Sequence, residues 1–119
     1  MAGKTLIVED DPYMVEMFKE QILDAELNMD DFIFAVNRVE AEKAISEESI
    51  DLLICDANIP KSGNTFARAE NGLEVLRQAK EAGIERRWII SSNSKIQHEA
   101  VKDGLATFAC AKIEAIERF

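Results

Sequence analysis

Short apolar runs of strand length alternate with helix-periodic segments along the whole chain, and this alternation constrains the fold more than any single residue does. TLIVED (5–10), FIFAV (32–36), DLLIC (51–55), WII (88–90) and TFACA (107–111) are runs of β-branched, aromatic and other apolar residues that suit buried strands. Between the first two, Asp11 and Pro12 supply an N-cap and a proline at the first helical position, and Met14, Val15, Phe18, Ile22 and Leu23 recur at helical spacing. Asn37 caps a second predicted helix, with Val39, Ala41, Ala44 and Ile45 on its inner face. GLEVLRQAKEAG (72–83) reads as a helix closed by Gly83, KIQHEAVKDG (95–104) as a short helix ending at Gly104, and KIEAIERF as the start of a last, short one. Strand and helix alternate five times, the pattern of a doubly wound parallel sheet with helices on both faces. Its crossovers are expected to be right-handed, and its ligand site to lie outside the carboxyl ends of the strands, at a topological switch point. With no repeat, low-complexity tract or linker, residues 1–119 read as a single domain with no effector domain attached.

The predicted strand ends carry an unusual set of side chains. Strand one runs into Glu9 and Asp10, strand three into Asp56, strand four into Ser91 and Ser92, and strand five meets Lys112. Each has a plain reading alone: acids near strand ends cap turns, and a lysine is ordinarily solvated. Together, on one rim, they converge. Carboxylates of neighbouring strands repel and raise one another's pKa unless a cation lies between them. Oxygen donors without cysteine or histidine favour a hard ion, and magnesium needs only one or two carboxylates plus a phosphate. A lysine and a serine hydroxyl suit the phosphate oxygens, so the set reads as a site for a phosphoryl group.

The remaining composition narrows the function. A formal net charge of -9, from 23 acids and 14 bases, repels nucleic-acid backbones and anionic membranes and favours basic partner surfaces. Cys55 and Cys110 sit in apolar runs and read as reduced core thiols; the one histidine, His98, lies in a polar helical stretch and reads as solvated. No Cys/His cluster is available for zinc. No apolar run approaches the ~20 residues of a membrane span, and MAGKTLIVEDD does not read as a signal peptide, so the cytoplasm is the expected compartment.

LIVEDDP, LLICDANIP, the strand-four serine and the lysine after strand five resemble the receiver domain of bacterial two-component response regulators, over nearly the whole chain. The resemblance implies the flavodoxin-like strand order 2-1-3-4-5. It implies that Asp56 is the phosphoacceptor, taking its phosphoryl group from a sensor histidine kinase or a phosphotransfer protein. It implies Mg2+ bound through Asp10 and Asp56, the backbone carbonyl of Asn58, and Glu9 by way of water. The switch hydroxyl would be Ser91, whose small successor Ser92 fits the family better than Asn93 does after Ser92. Lys112 would pair with the phosphate.

Three features depart from the family pattern. The lysine is followed by Ile113 in place of proline, so a cis peptide is not expected there. The position three before it is Ala109, with Phe108 one step off; either strand five carries a bulge or the family's aromatic switch is absent. The segment KSGNTFARAEN (61–71) is longer than the family's usual turn. It reads as a tolerated surface insertion, or as a lid or partner contact anchored by Phe66.

The leading expectation is therefore a phosphoacceptor that signals by conformational change and is not a turnover enzyme. The alternative is a phosphate-independent module that keeps the receiver shape for protein interaction. A metal-dependent phosphohydrolase fits less well, because Asn58 stands where such enzymes carry a second aspartate.

Overall fold

Strand β1 (Lys4–Val8) pairs in parallel with β2 (Phe32–Ala35) on one side and β3 (Ile50–Asp56) on the other. The sheet continues through β4 (Arg86–Ile90) to β5 (Phe108–Cys110), all parallel, in the expected order 2-1-3-4-5. The computed structural model describes residues 3–118, apart from the side chains of Ile113, Ile116 and Glu117. Because the chain leaves β1 towards β2 and returns to the far side of β1 with β3, the winding reverses between β1 and β3. A crevice opens at their carboxyl ends.

Five helices cover the sheet: α1 (Pro12–Asp24), α2 (Arg38–Glu47), α3 (Ala69–Glu81), α4 (Ser94–Lys102) and α5 (Lys112–Glu117). Met14, Phe18 and Ile22 of α1 and Ala115 of α5 pack with Ile7, Ile54, Ile90 and Cys110 on one face. Ala41 of α2, Val75, Leu76 and Ala79 of α3 and Ala100 of α4 pack with Leu6, Val8, Leu53, Cys55 and Ile89 on the other. Successive strand residues thus serve opposite cores, which is why LIV and LLIC are uninterrupted apolar runs and do not alternate with polar residues. Each fully buried Leu, Ile or Phe contributes about 1.5–3 kcal/mol relative to exposure.

The helix starts are chemically specified. Asp11 Oδ1 accepts from Tyr13 N at 2.9 Å ahead of Pro12, and Asn37 Oδ1 accepts from Glu40 N at 2.8 Å. Gly83 and Gly104, at φ +84° and +75°, end α3 and α4 in the left-handed region open to glycine.

Several expectations need correction. β1 stops at Val8, so Glu9 and Asp10 stand just beyond it, whereas Asp56 is the last residue of β3 itself. α3 begins at Ala69 and not at Gly72; its N-cap, Arg68, makes no side-chain capping bond, so nothing local marked the start. A single 3-10 turn at Met29–Asp31, capped by Asn28, precedes β2 and was not expected. Leu23, part of the helix-periodic apolar set, is 62% exposed, and Val39, expected on the inner face of its helix, is 53% exposed. Leu23 lies one residue past the buried stripe of Met14, Phe18 and Ile22, and Val39 two before Ala41. At roughly 100° per residue both are turned away from the sheet. Cys55 and Cys110 are buried and unbridged, and His98 is exposed on α4.

Candidate functional site

The register Val8↔Cys55 places the residues that follow β1 beside the end of β3. Glu9 N donates to Ala35 O at 3.0 Å, Ala57 N to Ile90 O at 2.9 Å and Ser91 N to Cys110 O at 3.1 Å, so parallel pairing extends past each strand end and fixes the height of the loops. Glu9, Asp10 and Asp56 each offer one carboxylate oxygen within 4.8 Å of the others. Among the described residues this is the only such group of three or more His, Cys, Asp or Glu side chains. Glu9 and Asp56 are buried, and Asp10 is partly exposed.

Lys112, at the start of α5, is the counter-ion of the pair. Its Nζ lies 2.8 Å from Glu9 Oε1 and 3.0 Å from Asp56 Oδ2. The other Asp56 oxygen, Oδ1, accepts from the main-chain N–H of Asn58 at 3.1 Å. These groups border a cavity of about 420 Å³ lined by Asp10, Asp56, Asn58, Ser91, Ser92 and Lys112, with Ala67 and Ala111 completing the wall. The structure therefore brings every sequence-nominated residue to one place: seven side chains from the ends of β1, β3, β4 and β5, with Glu9 behind the cavity and the rest on its surface.

The electrostatics follow from this crowding. Burial pushes the Glu9 carboxyl up to about 8, helped by its hydrogen bond to Asp56 and that residue's charge, and opposed by Lys112. Asp10 is also raised, chiefly by burial and further by the Asp56 charge, against a backbone hydrogen bond and Lys112. Burial alone would lower the Lys112 ammonium, but its bonds to Glu9 and Asp56 and their charges outweigh burial and raise it above an ordinary lysine. Glu9 Oε2 is buried without a hydrogen-bond partner among the described residues. An orphaned carboxylate oxygen beside two further carboxylates, with no nitrogen or sulfur donor, is a donor set that fits a hard divalent cation or its bound water.

The two serines differ. Ser91 is buried, and its Oγ accepts from Asn93 N at 3.0 Å, which leaves the hydroxyl proton free to be donated into the cavity. Ser92 also lines the cavity but is exposed.

Sequence reasoning overlooked the residues that hold the Asp56 loop. A Cβ on Gly72 would lie within 2.5 Å of both Ala57 Cα and Asp56 O, so only glycine lets α3 approach the end of β3, where Gly72 N donates to Ala57 O at 3.1 Å. The preceding Asn71 is buried and donates from Nδ2 to Ile59 O at 3.0 Å. The Asn-Gly pair in the sequence is the one signal of this junction.

The long segment after Pro60 folds back on itself. Ile59 and Arg68 form an antiparallel bridge, Ser62 and Thr65 bond one another, and Arg38 N and Val39 N donate to Pro60 O and Lys61 O. Phe66 does not anchor it: the ring is 87% exposed, and the chain is held at its base by backbone bonds. The β4–β5 register is regular (Trp88↔Phe108, Ile89↔Ala109), so β5 carries no bulge. Phe108 packs edge-on against Trp88 at 5.3 Å on the α1/α5 face, while Ala109 faces the α4 side. Among the described residues no peptide bond is cis, in keeping with Ile113 after the lysine.

No protein-family model matches this chain, and no curated protein matches its sequence. Solved structures do. The chain is similar to the receiver domain of response regulator 1452 from Francisella, at 18% identity over 98% of this chain and 93% of that one, with a TM-score of 0.72. It is similar to the response regulator protein TrrA from Thermotoga maritima, solved in complex with Mg(2+)-BeF, at 21% identity over 92% and 86%, with a TM-score of 0.71. It is also similar to a de novo designed Rossmann 2x3 fold protein, at 18% identity over 98% and 85%, with a TM-score of 0.75. The chain thus has the receiver-domain fold. A designed protein has it too, so function has to be argued from the site.

Proposed function

We propose that the chain is a phosphoacceptor receiver of two-component signalling, with Asp56 as the residue that takes up the phosphoryl group. The observation that carries this reading is the placement of Asp56 between Lys112 and the Asn58 N–H, at the floor of a cavity bordered by further acids and a serine. The donor is a phosphohistidine of a sensor histidine kinase or phosphotransfer protein, or a small acyl phosphate. An Asp56 oxygen forms a bond to phosphorus as the donor's N–P or O–P bond breaks, and the departing imidazole or carboxylate carries away the electron pair. Lys112 shifts from the carboxylates to the phosphoryl oxygens, and the Ser91 hydroxyl donates to another.

Glu9, Asp10, Asp56 and the Asn58 carbonyl are the groups that would hold Mg2+, which when bound supplies positive charge to the transferring phosphoryl group. Asp56 is positioned by the buried strand LLIC and by Gly72, so the site contributes orientation and charge neutralisation with little reorganisation. Asn58, next-but-one to Asp56, is no acid or base, which favours a signalling phosphoacceptor over a turnover hydrolase. Among the described residues no helix is long and apolar enough to cross a membrane. Action in the cytoplasm, on partners other than nucleic acid, is part of the same reading.

Intact mass after incubation with acetyl phosphate, with and without magnesium, tests it beside Asp56→Asn. A magnesium-dependent gain of one phosphoryl group by the wild type alone is expected. No gain under any condition, with a folded protein, would favour the phosphate-independent interaction module.

A further inference from the structure

The segment after Pro60 carries positive charge only. Between Asp56 and Glu70 there is no acidic residue, and the bases are Lys61 and Arg68, in a chain of net charge -9. Both side chains are exposed, and among the described residues neither has an ion-pair partner. Phe66 lies between them in the sequence. It is the most exposed large apolar side chain among the described residues, ahead of Tyr13 and Leu23.

The two cations and the ring share one hollow. A space of about 370 Å³ is lined by Lys61, Phe66 and Arg68, with Asn64 and Thr65 beside them. Glu70, in the first turn of α3, is the one acid on its wall. Ala67, between Phe66 and Arg68, lines the Asp56 cavity instead, so this short stretch is a wall common to both spaces. The loop is also held in shape. The Ile59–Arg68 bridge and the bonds from Arg38 N and Val39 N fix its base, and Ser62 and Thr65 bond across it.

We propose that residues 61–68 are a docking surface for an acidic segment of a partner protein that carries an apolar side chain. The apolar group covers the Phe66 ring, and the flanking carboxylates meet Lys61 and Arg68. Charge complementarity selects this occupant. The acid-rich remainder of the surface repels such a segment, so the two cations decide where it lands as well as help to hold it. Covering the ring removes apolar area from water, a gain the free protein does not have. The bonds at the loop's base hold the surface ready, so little ordering opposes binding. A segment seated there places its protein beside the mouth of the Asp56 cavity, through the wall that Ala67 shares. Docking itself requires nothing of Asp56.

The test uses the full chain, isotopically labelled and followed by backbone amide shifts. The probe is a short synthetic peptide in which glutamates flank a Leu-Phe pair; the same peptide with lysines in place of the glutamates is the control. Amides from Lys61 to Arg68 are expected to shift with the glutamate peptide and not with the lysine peptide, and the affinity to fall as salt is raised. Lys61→Glu and Arg68→Glu are each expected to weaken binding roughly fivefold, the scale of an exposed ion pair. Phe66→Ser is expected to weaken it about tenfold, the scale of a ring partly covered. Spectra that match the wild type outside the loop show that the variants fold. Equal binding of the lysine peptide, shifts centred elsewhere on the surface, no shift at millimolar peptide, or wild-type affinity in all three variants overturns the proposal and leaves the phosphoacceptor reading intact. Failure to label Asp56 with acetyl phosphate overturns that reading and leaves the docking surface intact.

Discussion

Lys112 Nζ stands 3.0 Å from Asp56 Oδ2, so the carboxylate that ends β3 meets its counter-ion from the start of α5, two strands away in the sheet. The same ammonium holds Glu9 at 2.8 Å. Two buried acids therefore share one cation, and the site's response to mutation, pH and metal follows from that arithmetic of charge.

Lys112→Met leaves the Asp56 carboxylate without its cation, while Glu9, raised to about 8, stays largely protonated. Removing one partner of a buried pair is strongly destabilising, and partial exposure of Lys112 moderates this to about 1–3 kcal/mol at neutral pH. Urea unfolding measures it. Magnesium is expected to restore part of the loss, because a cation at the acids replaces the missing charge.

Glu9 gives the site a pH signature. Its carboxyl is raised from 4.5 to about 8, so its stabilising contribution is present in full below about pH 4.5 and is lost as pH rises towards 8. Glu9→Gln fixes the neutral form. Without metal, the variant should be nearly equal to the wild type at pH 5 and gain in relative thermal midpoint as pH approaches 8.5. A difference that stays flat with pH would mean that Glu9 is ionised throughout.

Gly72→Ala tests the junction between α3 and β3. The added methyl meets Ala57 and Asp56 backbone, which cannot give way as a flexible side chain would, and the expected cost is about 2–3 kcal/mol by chemical denaturation. Gly63→Ala, where a Cβ meets nothing within 4 Å, is expected to be neutral or slightly stabilising.

Much of this architecture is legible in the sequence because it is local or periodic. The five apolar runs, the Asp11–Pro12 cap and the glycines after α3 and α4 each carry their own signal. So do the acids, serines and lysine at the strand ends, once the strands are known to be parallel. What is not legible depends on contacts distant in the chain. Gly72 is explained only by the approach of Asp56 O. The start of α3 has no capping side chain to announce it, and the fold-back of residues 61–68 depends on the Ile59–Arg68 bridge. The sequence offered Phe66 as an anchor for this loop beside the reading of a tolerated surface insertion. Backbone bonds at the loop's base made that unnecessary. Gln97 reads as one more polar residue on a helix until its amide is found on the Ser91 carbonyl.

That exposure carries its own expectation. Phe66→Ser should change stability by no more than about 0.5 kcal/mol, as surface substitutions do. Ile59→Ala, which empties a fully buried position at the loop's base, should cost about 2–4 kcal/mol. Thermal or urea unfolding of the two variants makes the comparison.

The most direct measurement locates the acyl phosphate. After reaction with acetyl phosphate and magnesium, borohydride reduces an aspartyl phosphate to homoserine, and peptide mapping by mass spectrometry reads which residue has changed. Homoserine at position 56, absent when magnesium is withheld, is the expected result. Homoserine at Asp10 or elsewhere, or phosphorylation that resists borohydride and maps to a hydroxyl, would contradict the assignment of Asp56 as the phosphoacceptor.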